Sequence, residues 1–117
     1  MLSDARRPVE AVSTSRRPRH HLREALLALA GPHARLLNHQ EKSWASITFA
    51  GARHRLKLLF DGAEAIEAGE LFIAFLPEHE FTIPGQLVAQ ATVIAVDHQV
   101  DPPRMELNCE LLLLDDS

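Results

Sequence analysis

The sequence predicts an α+β domain: an antiparallel sheet of about five strands, N-terminal helices packed on one face, and a short helix after the first hairpin. Its apolar residues set this pattern. They recur at spacings of three and four near the N-terminus and alternate along the middle of the chain. Towards the C-terminus they fill long runs of Val, Ile and Leu.

Residues 1–18 have no hydrophobic period and are broken by Pro8 and Pro18, which predicts a mobile basic tail. The folded domain is then expected over 19–117. From Arg19 onward Leu22, Leu26, Leu29 and Ala30 form one apolar stripe, the mark of a helix that Gly31 ends. Pro32 can open a second helix, which Ala34, Leu36 and Leu37 carry to the region of Gln40. Trp44–Phe49 and Ala52–Leu59 alternate about Ala50-Gly51, as in a hairpin. With that turn Thr48 faces Arg53, Ser46 faces Arg55 and Trp44 faces Lys57, so one face is basic. The other face holds Ile47, His54, Leu56 and Leu58.

Asp61 followed by Glu64 matches a capping box, which predicts a short helix over Gly62–Ala68 with Gly69 as its stop. Glu70–Leu76 is apolar on both sides, as a central strand would be, and Pro77 ends it. Phe81–Ile83 follows as a short edge strand and Pro84-Gly85 as a type II turn. Leu87–Val96 and Met105–Leu114 are long strands joined through Asp97–Arg104. Met105, Leu107, Cys109, Leu111 and Leu113 share one face of the last strand. Leu26 and Leu107 therefore belong to a common core.

A chain of 117 residues suits one domain with a core of its own. Cys109 is the lone cysteine, which excludes an intrachain disulfide and fits a reducing compartment. No apolar run approaches the roughly 18–20 residues that span a bilayer. Arg23 and Glu24 interrupt the segment that a signal peptide would need. A cytoplasmic protein without membrane contact is the expectation.

The charges are sorted along the chain. Residues 1–60 carry +7 and residues 61–117 carry −11, for a net charge of −4. Such asymmetry predicts halves that attract each other within or between chains, or a basic half that faces nucleic acid or a membrane.

Candidate chemistry is sparse. Glu78, His79 and Glu80 form the best acid–base group, in a loop after the expected central strand, with Asp97-His98 in a neighbouring turn. Trp44, Arg53, Arg55 and Lys57 on the basic hairpin face could grip phosphates and stack a base. A pI near 5.9 disfavours nucleic acid as the partner. The seven histidines include no pair at zinc-ligand spacing: His20 and His21 are adjacent, and His33 and His39 fall on opposite sides of a helix. No metal or cofactor is expected. Leu112 and Leu114 lie on the face of the last strand opposite the core, and if solvated they call for a second copy. The sequence thus favours a non-enzymatic interaction or ligand-binding module that forms a homodimer. A small acid–base enzyme and a nucleic-acid binder are the alternatives.

Overall fold

The computed structural model describes residues 6–116, with side chains from Pro18 onward. It is an α+β domain with one four-stranded antiparallel sheet and two helices. Helix α1 (Arg6–Ala30) leads into β1 (Ala34–Ala45) and β2 (Ala50–Asp61). Helix α2 (Ala63–Phe75) and a 3₁₀ turn at Leu76–Glu78 follow, then β3 (Gln86–Gln99) and β4 (Arg104–Asp115). The strand order is β1-β2-β4-β3, so β4 returns to pair with β2 and both hairpins share one sheet.

Helix α1 ends where its apolar stripe ends. Gly31 adopts φ 100° and its N–H donates to the Leu27 carbonyl at 3.0 Å. The backbone is helical from Arg6, well before the expected start at Arg19, and it passes through Pro18. The tail expected over 1–18 falls on residues 1–5 and on the side chains of 6–17, which lie outside the described residues.

Four strands replace the five expected, because two segments take a different form. The helix expected from Pro32 to Gln40 is strand β1. A bulge between Leu36 and Asn38 lets Ala34 and Leu36 point inward before it and His39 and Glu41 after it. That change of parity puts Leu36 and Leu37 side by side and disguises the alternation. The strand expected over Glu70–Leu76 is the second half of α2. Ala65, Ile66, Gly69, Phe72 and Leu76 are buried, at spacings that only a helix turns to one side. An apolar run of this length fits a buried helix as well as a strand, and periodicity alone does not separate them.

Gly69 does not stop α2 but lets it approach the sheet. A Cβ there would sit 2.5 Å from Met105 Cε and 2.9 Å from Phe60 Cγ. The capping box is not formed either: Gly62 precedes the helix with φ 102° and no side chain caps it. The expected edge strand at Phe81–Ile83 reduces to one bridge, Ile83 with Gln86, across the Pro84-Gly85 turn.

Both helices lie on one face of the sheet, as expected. Leu22, Leu26 and Ala30 of α1 join Phe72 of α2 over Leu56, Leu58, Phe60, Met105, Leu107 and Leu111. Leu26 and Leu107 are both fully buried. Among the described residues the opposite face carries no helix. Among the described residues no helix is long and apolar enough to cross a membrane.

Candidate functional site

The hairpin turn lies at Ser46–Phe49 rather than at Ala50-Gly51. The Ser46 N–H donates to the Phe49 carbonyl at 2.7 Å, and the Phe49 N–H donates to Ser46 Oγ at 3.1 Å. Asn38 therefore faces Lys57, Gln40 faces Arg55, Lys42 faces Arg53 and Trp44 faces Gly51. The register differs from the expected one by an even number of residues, so every side chain that stays in a strand keeps its face, whereas Ile47, expected inward, lies in the turn and is fully exposed. Trp44, Arg53, Arg55 and Lys57 do share the open face of the sheet. Ser46 and Thr48 do not join them, because they belong to the turn.

The open face brings the two charge-sorted halves together. Strand β2 supplies Arg53, Arg55 and Lys57, and β4 supplies the acids together with Arg104. Arg53 meets Glu110 at 2.6 Å and Arg55 meets the same carboxylate at 3.1 Å. Glu106 takes Arg104 at 3.2 Å and Lys57 at 4.0 Å. Hydrogen bonds from Arg53 and Arg55 hold the Glu110 carboxyl below the usual carboxylate range. The attraction that the sequence implies is thus met within one chain. Beside it a shallow cleft of about 810 Å³ is lined by Gln40, Lys42, Trp44, Arg53 and Arg55.

The acid–base group is placed differently. Glu78, His79 and Glu80 are all exposed, at and after the 3₁₀ turn. The His79 ring meets Phe81 edge-on with centroids 4.5 Å apart. Among the described residues no carboxylate reaches His79 within ion-pair distance. Asp97 and His98 sit towards the far end of β3, opposite Glu106 and Met105, rather than in a turn.

Leu112 and Leu114 are less open than their alternation implies. Strand β4 is internal to the sheet, between β2 and β3, so side chains on both sides shelter its open face. Leu114 is only 7% exposed within the single chain, and Leu112 is partly covered. Large exposed apolar residues lie elsewhere: on β3 and beyond its end (Leu87 at 55%, Ile94 at 44%, Val96 at 50% and Val100 at 81%), and also at Leu37 of β1, Ile47 and Phe49 of the hairpin turn, and Leu71 and Phe75 of α2. Cys109 is fully buried, and burial pushes its thiol up to about 12, so it is no nucleophile.

The most connected polar cluster lies under α1. His54 of β2 is 1% exposed and faces His39 of β1, with Nδ1 of His54 2.9 Å from Nε2 of His39. Arg23 Nε donates to His39 Nδ1 at 2.7 Å. Arg19 donates to the His39 carbonyl at 3.2 Å and pairs with Glu41 at 3.4 Å. Sequence patterning missed the pair because it placed His39 on a helix. The available signal was His54, a histidine on an otherwise apolar strand face. Among the described residues no group of three or more His, Cys, Asp or Glu side chains could hold a metal ion.

No family model matches the sequence, and no curated protein matches it. Among solved structures, a chain from the virion of a native gene transfer agent (GTA) particle is similar in fold, with a TM-score of 0.55. The two share 17% identity over 81% of this chain and 90% of that one. At that identity the likeness is one of fold.

Proposed function

We propose that the protein is a non-enzymatic building subunit that associates with copies of itself along β3. The observation that carries this reading is the exposed apolar edge of that strand. Strand β3 is an edge strand of 14 residues whose only formally charged side chain is Asp97. On the open face it leaves Leu87 and Ile94 about half exposed, and on the helix face Val96. Edge strands are normally blunted by charge, and this one has little. Its bulges between Val88 and Gln90 and between Val93 and Ala95 bend it away from a continuous ladder. Side-chain burial rather than strand extension is therefore the means of association. A two-fold pairing of β3 with β3 covers the same residues on both copies. Likeness in fold to a virion component supports a structural role. The open loop around His79 gives little support to an enzyme, and the carboxylates of Glu110 and Glu106 offset the cations that a nucleic acid would need.

The test is sedimentation at micromolar concentration in low salt and in about 0.5 M salt, where charge pairs are screened but apolar contacts persist. A dimer is expected in both. Leu87→Glu with Ile94→Glu should give a monomer with an unchanged far-UV spectrum. Leu112 borders this surface and Leu114 lies beneath it, so Leu114→Ser should lower stability rather than simply separate the copies. A monomeric wild-type protein would overturn the reading.

A further inference from the structure

The two imidazoles and two guanidiniums under α1 form a chain with a fixed direction. An arginine side chain only donates, so Arg23 Nε makes His39 Nδ1 an acceptor. The His39 proton then sits on Nε2 and is donated to His54 Nδ1. That leaves the His54 proton on its Nε2. Three elements are joined by these bonds: α1 through Arg23, β1 through His39 and β2 through His54.

An added proton has no good position in this chain. On His39 Nδ1 it would point at the Arg23 Nε–H. On His54 Nδ1 it would point at the His39 Nε2–H. Either proton turns an acceptor into a second donor and removes a hydrogen bond. Either also adds positive charge beside Arg19 and Arg23. Among the described residues Glu41 of β1 is the one acid in the network, and Arg19 already pairs with it. From β2, Arg53 and Arg55 project to the open face, and β4 places Leu111 opposite His54. His20 and Glu24 of α1 pair with each other in solvent.

We propose that the Arg23–His39–His54 chain is an acid-released latch that holds the Arg19–Arg23 turn of α1 against β1. Leu26 and Ala30 anchor the following turns of the helix in the core, so release is local. Burial, and after it the Arg19 charge, lowers His39 to about 3 and His54 to about 4. A histidine lowered in the docked state favours docking fully above its free value of about 6.5, and that preference is lost as pH falls below it. The docking equilibrium should weaken roughly tenfold per pH unit for each histidine until the docked values are reached.

The test is amide hydrogen exchange of the full chain between pH 7 and 4.5, corrected for intrinsic rates. Protection of α1 around Arg19–Arg23 should fall steeply below pH 6.5, while β4 amides stay protected. A variant with His39→Gln and His54→Asn keeps an acceptor for Arg23 and a donor–acceptor contact between the strands, and its α1 protection should not depend on pH. Should that variant not fold, ¹⁵N–¹H spectra of the wild type decide. Both rings should carry their proton on Nε2 and remain neutral at pH 5. Either ring titrating near 6.5 with α1 still protected would overturn the latch, as would equal loss of protection in α1 and β4.

Discussion

Replacing Leu107 by Ala is expected to destabilise the domain by about 2–5 kcal/mol, the range for truncating a buried leucine in a packed core. Leu107 is fully buried on β4 opposite Leu58 and Val96, in the middle of the sheet. Neighbours on both sides are held by strand pairing, so the site has little freedom to collapse into the space that the truncation leaves. Leu26→Ala should cost an amount in the same range, about 2–5 kcal/mol, because Leu26 is equally buried at the centre of the α1 stripe. Urea unfolding measures both. A cost below about 1 kcal/mol, the scale of a surface change, would place either residue outside the core.

Gly69→Val should destabilise by about 1–3 kcal/mol through overpacking, the opposite fault. Met105 Cε can swing aside from a new Cβ, but the buried Phe60 ring at 2.9 Å has little room to move. The helix would have to lift from the sheet, which loosens Phe72 and Ile66 along with it. A lower thermal midpoint with unchanged helix content is the expected result. Gly69→Ala, with fewer atoms, should show a smaller loss. If Gly69→Val raises the midpoint, as helix propensity alone would have it, then α2 does not pack as closely as described.

The parts of the fold legible in the sequence are those whose periodicity is unbroken. Leu22 to Ala30 keeps its stripe to the Gly31 stop, and the long C-terminal hairpin was predicted within a few residues at each end. The alternation of β4 also identified its buried face from Met105 to Leu113. Two features defeated the pattern. In β1 a bulge reverses which residues point inward, so Leu36 and Leu37 resemble a helical pair. In α2 a glycine that serves close packing resembles a helix stop, and the remaining apolar run resembles a strand.

The open-face residues Trp44, Arg53, Arg55 and Lys57 were legible because an even error in register leaves each side chain on its face. Their partners were not. Glu110 and Glu106 stand beside β2 only because the strand order brings β4 next to it, and strand order leaves no local trace in a sequence. The His39–His54 contact was hidden for the same reason, since it depends on β1 being a strand.

The meeting of β2 with β4 also bears on how the chain reaches this structure. Each hairpin closes a short loop, whereas the seam between them joins residues up to about 60 positions apart, such as Gly51 and Leu114. Loop-closure entropy falls on that step, and contacts this distant in sequence slow a folding search. Arg53, Arg55 and Lys57 on one preformed hairpin then face Glu106 and Glu110 on the other. As pairs at a partly exposed face they add little to the final stability. Their long-range attraction acts earlier, drawing the two hairpins together in the orientation that the finished sheet requires.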